Sequence, residues 1–378
     1  MRGHVRKRGA KWCYVVDVGR DENGKRIRRW HSGFERRKEA EAALTDTLAD
    51  LRAGSYVEPS KLTLGGFLND EWLPAMRRSL RPSTHRSYTQ VLGTHVIPAL
   101  GHVALPALTP PMLTTLYGEL LDGREGRKPL APRTVRYAHT ITRQALADAA
   151  KWNRLTRNPA DAAEPPSLRA AKARKMATWD TDQLRRFLGS VSEDRLYAAW
   201  RTAATTGMRR GELLGLRWRD LDLDAARASI VQTLIDGPTA PQLSEPKTDH
   251  GRRSLALDGG TVAVLRAHRK AQAAEKLALG PAYEDHELVF CREDGVPLWP
   301  RTFSRTFDRL VKGAELPRIR FHDLRHGHAT LSLQAGIHPK VVSERLGHAN
   351  IGITLDTYSH AVPAMQEDAA AKVAALID

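Results

Sequence analysis

The stretch LGHANIGITLDTYSH, residues 346–360, carries His348 and, ten positions later, Tyr358. Upstream lie TGMRRGELLGLRW (206–218) with Arg209 and Glu212, EPKTDHGRRSLAL (245–257) with Lys247, and FHDLRHGHATL (321–331) with His322 and Arg325. A tyrosine grouped with arginines, a lysine and histidines can open a phosphodiester without a metal. Attack by the phenol builds extra negative charge on a pentacoordinate phosphorus. Planar guanidinium groups, each gripping two oxygens, can hold that charge, which suits Arg209 and Arg325. His322 precedes Arg325 by three positions, so both share one face of a helix. An imidazole there can accept the tyrosine proton when neutral, or bind an oxygen when charged. His348 can donate a further hydrogen bond. Lys247, in a strand-rich region where a mobile hairpin could carry its ammonium to the leaving 5′ oxygen, is the candidate general acid. Glu212 orients a basic partner. Taken singly each residue is ordinary, and the weight comes from their order and local context.

Composition agrees with a phosphate-rich target. The 378 residues include 59 Lys plus Arg against 43 Asp plus Glu, a net charge of +16 and a pI near 10.1. That surplus points to a polyanion, since each neutralised phosphate releases condensed counterions. The length allows two or three domains. Cys13 and Cys291 fit no metal spacing and suggest free thiols in a reducing compartment. No apolar run follows the basic N-terminus, so neither a signal peptide nor a membrane span is expected, and the cytoplasm is the expected location.

Along the chain, Trp12, Tyr14, Val16 and Val18 alternate and Asp21-Glu22-Asn23-Gly24 supplies a turn, which predicts a hairpin over 11–34. Its return arm carries Arg26, Arg28 and Arg29. A helix is expected at about 36–53, closed by Gly54. Together they make a small sheet that can lay arginines in a DNA groove, assigned to 1–57. Residues 62–157 read as a helical domain, with Ser83 or Thr84 as an N-cap and further helices at 109–122 and 131–152. Arg86, Arg133, Arg136 and Arg143 are its candidate DNA contacts. The stretch 158–176, with Lys172, Arg174 and Lys175, reads as an extended basic linker that also touches DNA. From 177 to 378, helices are expected near 181–190, 193–206 and 210–217, strands over 227–257, and helices beyond 260. The fold class is therefore mainly α with small β-sheets, with an α+β catalytic domain.

Two rivals meet this pattern. A metal-dependent nuclease could use His322, His326 and His328, or the alternating Asp220, Asp222 and Asp224. The histidines lack a carboxylate at ligand spacing, and as a calcium loop the acidic run has Ala225 in place of glycine and Val231 in place of the closing glutamate. A DNA-binding protein without catalysis would show decay at one of the candidate positions, and none has decayed.

The four motif blocks, in this order, resemble those of the tyrosine recombinase (phage integrase) family. The likeness is strong over roughly 175–365 and extends in general character to the helical region before it. It implies a multidomain tyrosine-recombinase architecture, with Arg209, Lys247, His322, Arg325, His348 and Tyr358 as catalytic residues and Glu212 in a supporting role. Gly327 stands where many relatives have a small hydroxyl residue. The resemblance further implies cleavage through a 3′-phosphotyrosine, strand exchange through a Holliday junction, and no need of a metal, ATP or other cofactor. Implied partners are double-stranded DNA attachment sites, three further copies in a homotetramer, a directionality factor and a DNA-bending host protein, at the bacterial nucleoid. The alanine-rich tail from Ala364 to Ile377, helical in pattern, is expected either to strap onto a neighbouring copy or to pack on its own domain. A sheet-plus-helix module ahead of the helical domain looks like an arm-type DNA-binding domain, which favours an integrase of a prophage or integrative element. A chromosome or plasmid dimer resolvase, or a transposon integrase, is the alternative within the family.

Overall fold

The computed structural model describes residues 3–20, 22–53, 56, 61–124, 126–171, 177–245, 251–358, 374 and 377, in two compact units divided after residue 174. The first unit begins with an antiparallel sheet in the order β1-β2-β3: β1 (Gly3–Arg8), β2 (Lys11–Arg20) and β3 (Arg26–Phe34). The hairpin expected from the alternating apolar residues is β2–β3, turned at Gly24 with φ +79°. β1 was not expected. Helix α1 (Arg37–Ala53) covers one face, where Tyr14 and Val16 pack on Leu44 and the Tyr14 hydroxyl meets Thr47 Oγ1 at 2.8 Å. Strand alternation puts Arg26, Arg28 and Trp30 on the opposite face. Arg29, paired across from Val16, points to the helix side, so the expected row of three arginines is two.

A helical core follows. Thr63 caps α2 (Leu64–Gly66), which runs through a π-helical turn, Phe67–Trp72, into α3 (Leu73–Met76). α4 (Pro82–Val91) continues through a second such turn, Leu92–Val96, into α5 (Ile97–Leu100). The N-cap of α4 is Arg81, not Ser83 or Thr84: Pro82 holds Arg81 extended and itself occupies the first helical position, where its missing N–H costs nothing. α6 (Pro110–Asp122) and α7 (Pro132–Lys151) complete the layer around Phe67, Trp72, Leu92, Tyr117 and Leu146. The stretch from 158 does not start as an extended linker. Pro159–Ala162 forms a 3-10 turn, and Pro159 and Ala160 are buried because Ala160 joins the helical core. Lys172, Arg174, Lys175, Gly54 (expected to close α1) and, except for 374 and 377, the tail beyond Tyr358 lie outside the described residues.

The second unit opens with α8 (Thr181–Ser190), capped by Asp180 and Gln183, then α9 (Tyr197–Thr206) and α10 (Arg210–Leu214). α9 starts later than expected because Asp194 takes the Leu196 N–H and the Trp200 indole into a turn. The strands form a three-stranded antiparallel sheet, β4 (Leu221–Asp222), β5 (Arg227–Ile230) and β8 (Arg253–Ala256), and a hairpin, β6 (Thr233–Asp236) with β7 (Pro241–Ser244). α11 (Gly259–Leu279), α12 (Pro300–Gly313), α13 (Phe321–Gln334), α14 (Pro339–Leu346) and α15 (Ile351–Tyr358) follow. The core is aromatic: Trp200 stacks on Phe303 at 4.3 Å, and Phe307 meets Phe321 edge-on at 5.5 Å. A separate small cluster of Ala329, Leu333, Val342, Leu346 and Tyr358 joins α13, α14 and α15. Among the described residues no helix is long and apolar enough to cross a membrane.

Candidate active site

Two glycines in the left-handed region set the frame. Gly207 ends α9 and Gly347 ends α14, both at φ +65°, which only glycine adopts cheaply. A Cβ on Gly207 would lie 2.8 Å from both His328 and Leu346, so the turn before Arg209 also needs glycine for room. The last carbonyls of α14 would be left without partners inside the helix. Three arginines from three other elements donate to them. Arg253 Nε reaches the Arg345 carbonyl at 2.7 Å, an Arg325 terminal nitrogen reaches Leu346 at 2.5 Å, and an Arg209 terminal nitrogen reaches Gly347 at 2.9 Å. Arg325 also donates to the Gly207 carbonyl at 2.9 Å, closing the frame. The negative end of the helix dipole lies here, so the backbone draws cations together.

Glu212 is the carboxylate in this group. It is 4% exposed and accepts from the Arg209 backbone at 2.9 Å and its guanidinium at 2.6 Å. Arg253 donates to the same carboxylate at 2.9 and 3.1 Å. Burial alone would raise its pKa, but the Arg253 hydrogen bonds and the charges of Arg253 and Arg209 outweigh that and hold it below the ordinary value. Arg325, 3% exposed, is pressed toward losing its proton by burial and by neighbouring Arg209. Two accepting carbonyls and a guanidinium's intrinsic basicity keep it charged. Crowded cations facing one buried carboxylate make a strong receptor for an anion such as a phosphate.

Tyr358 closes α15, and only 1% of it is exposed. Its hydroxyl lies 2.6 Å from His326 Nδ1. Burial raises its pKa to about 12, while the Arg325 charge pulls the other way. His348 sits just past Gly347, its Nδ1 2.8 Å from the Thr354 hydroxyl. Burial first, then Arg325 and Arg209, push it down to about 4, so it is neutral at neutral pH, with its ring held in place by Thr354. His322 keeps an exposed edge, yet the protein packed around it and the Arg325 charge lower its pKa too.

The structure thus brings Arg209, Glu212, His322, His348 and Tyr358 each within electrostatic reach of Arg325. Lys247 lies outside the described residues. Of the candidate DNA contacts, Arg133 is exposed and Arg86 is exposed in a cleft of about 640 Å³ with Arg77 and His85. Arg136 and Arg143 are engaged within the protein, by the Pro166 carbonyl at 2.7 Å and Asp161 at 2.7 Å. Arg26 and Arg28 are exposed, 3.8 and 3.9 Å from Asp17. Two residues were missed. Arg253 shares strand parity with buried Leu255, which is a signal that it faces inward. His326 stands one helical turn after His322, its ring edge-on at 5.0 Å.

Comparison with known proteins identifies the family. Residues 162–365, more than half of the chain, match the phage integrase family. Residues 4–51 match an arm DNA-binding domain, and 63–121 match the N-terminal SAM-like domain of phage integrases. A tyrosine recombinase XerC-like protein of Caldanaerobacter subterraneus is 28% identical over 96% of both chains. The ICEBs1 integrase of Bacillus subtilis is 26% identical over 95% of this chain and 96% of its own. In fold the chain resembles the Tn1549 transposon integrase bound to transposon right-end DNA, with a TM-score of 0.67 at 20% identity, covering 82% of this chain and 99% of that one. It also resembles lambda integrase in a tetramer bound to a Holliday junction, with a TM-score of 0.60 at 18% identity over 93% and 94% of the two chains. The chain belongs to the phage integrase family and is a tyrosine recombinase of the integrase type.

Proposed function

We propose that this recombinase cuts duplex DNA at attachment sites with Tyr358 as nucleophile, integrating and excising a prophage or integrative element. Arg209 and Arg325 clamp the scissile phosphate, His348 and His322 hydrogen-bond to its oxygens, and Glu212 orients Arg209. Lys247 protonates the leaving 5′ oxygen. The observation that carries the reading is the convergence of three arginines on the carbonyl end of α14, with Tyr358 buried beside them. Such fixed donors cost no reorganisation when charge develops on phosphorus. The bond energy passes into a 3′-phosphotyrosine, so the reaction needs neither ATP nor a metal. A 5′-hydroxyl from a second duplex then attacks the phosphotyrosine, and two rounds of exchange pass through a Holliday junction.

Four copies on two duplexes carry this out, with a directionality factor and a DNA-bending host protein as accessory partners, at the nucleoid in the cytoplasm. Residues 1–57 act as an arm-type DNA-binding domain, 62–163 as the core-site domain, 164–176 as the basic connection and 177–378 as the catalytic domain. The match to an arm DNA-binding domain favours an integrase over a dimer resolvase. The adduct formed on attachment-site DNA, trimmed by nuclease and analysed by mass spectrometry, should carry its nucleotide remnant on Tyr358. A remnant on any other residue overturns the assignment.

A further inference from the structure

We propose that His326 is the base that takes the proton of Tyr358 as its oxygen attacks phosphorus. The inference rests on Tyr358 being the nucleophile. Sequence spacing nominated His322 for the proton, because it shares a helix face with Arg325. The structure puts a different imidazole on the phenol: His326 Nδ1 lies 2.6 Å from the Tyr358 hydroxyl, across 32 residues of chain. His322 keeps an exposed edge and meets the His326 ring edge-on. It is the outer member of the pair and free to meet substrate.

The 2.6 Å contact places the phenol and the imidazole within proton-transfer distance. In the tautomer that the proposal requires, the neutral ring carries its proton on Nε2 and Nδ1 accepts from the phenol. Burial, followed by the influence of His322, pushes His326 down to about 4. On its own helix, Asp323 favours its charged form while Arg325 and Arg320 oppose it; Tyr358 and His348 face it from α15 and the turn before it. A neutral acceptor is therefore in place at neutral pH. Because the phenol is held near 12, transfer is uphill before attack and becomes favourable only as the new P–O bond forms, so the two events are concerted.

The step balances. The Tyr358 O–H bond breaks and its proton passes to Nδ1, while the oxygen's electron pair forms a bond to the scissile phosphorus. The P–O5′ bond breaks, and O5′ leaves with that electron pair and takes a proton from the Lys247 ammonium. In the rejoining step the imidazolium returns its proton to Tyr358.

The test uses full-length protein in single turnover on attachment-site DNA with a 5′-bridging sulfur, whose thiolate leaves without a proton. His326→Asn keeps an accepting oxygen near the Nδ1 position but cannot carry a proton. Cleavage should slow by about 10²–10⁴-fold, the usual contribution of a positioned base. Its rate should climb about tenfold per pH unit over the range in which the native rate is flat. Native-gel binding should be unchanged, and added imidazole should restore rate to His326→Ala. A His326→Asn protein that cleaves within a few-fold of native with a flat profile overturns the proposal, as does acquisition of the slope by His322→Asn instead. Tyr358→Phe separates the two layers. An adduct that survives in the phenylalanine protein removes the nucleophile assignment itself. An adduct lost there but made at native rate by His326→Asn removes only the base.

Discussion

The two units use arginine in opposite ways. At the end of α14, Arg209, Arg253 and Arg325 are committed to carbonyls and one carboxylate, and Arg253 and Arg325 are almost wholly buried. On the N-terminal sheet, Arg26 and Arg28 stand in solvent, and Arg6 lies 3.9 Å over the 45%-exposed Trp30 ring. Buried cations are expensive to assemble and cannot adapt, which suits stabilising one charge at one point in space. Exposed cations on flexible stems cost little and suit a polyanion, with an affinity tuned by salt. The contrast supports the proposed division of labour: chemistry on one phosphate, grip on many.

The contrast can be broken first at its most buried point. Glu212→Ala leaves Arg209 and Arg253 without their carboxylate. Breaking a buried pair should cost the catalytic unit about 3–5 kcal/mol, read as a lower denaturant midpoint. Arg325→Ala should slow adduct formation by about 10²–10³-fold while DNA binding at fixed salt changes little. A parallel loss of binding would mean Arg325 serves grip, not chemistry.

The histidines around this frame add a pH signature. His326, His328 and His348 are each held near 4, mainly by burial. The folded form then binds fewer protons than the unfolded one, whose histidines titrate near 6.5. Their contribution is complete above about pH 6.5 and is lost as pH falls toward 4. For His328, whose Nε2 is buried without a partner, this amounts to about 3 kcal/mol. Melting temperature should fall between pH 7 and 5, and His328→Leu should flatten the slope.

The smallest effect belongs to the sheet. Arg28→Ala should lower arm-site affinity by about 1 kcal/mol or less and reduce the slope of log affinity against log salt by about 0.9. Cleavage of a core site should stay as it was. A loss of cleavage there would erase the proposed division between the units.

How much of this was legible beforehand depends on the range of the interaction. The β2–β3 hairpin and α1 follow from local patterning, since Tyr14 and Val16 alternate and Leu44 recurs on one helix face. β1 was invisible because Gly3–Arg8 holds one large apolar residue, Val5; pairing with β2 makes it a strand. The π-helical turns at Phe67–Trp72 and Leu92–Val96 left no local mark either. In the site, order and context were enough to nominate Arg209, Arg325, His348 and Tyr358. Arg253 and His326 escaped because their meaning lies in partners 41, 92 and 32 positions away. A helical i,i+4 pair, His322 and His326, was visible, but which ring meets the tyrosine is decided by where α15 packs.

The most direct measurement uses labelled DNA from the repeats flanking the element, incubated in excess chelator with native protein and with Tyr358→Phe, and run on a denaturing gel. The expected result is a protein-linked band with the native protein and none with the phenylalanine variant. A band formed by Tyr358→Phe, or cleavage by the native protein that the chelator abolishes, would contradict metal-free attack by Tyr358.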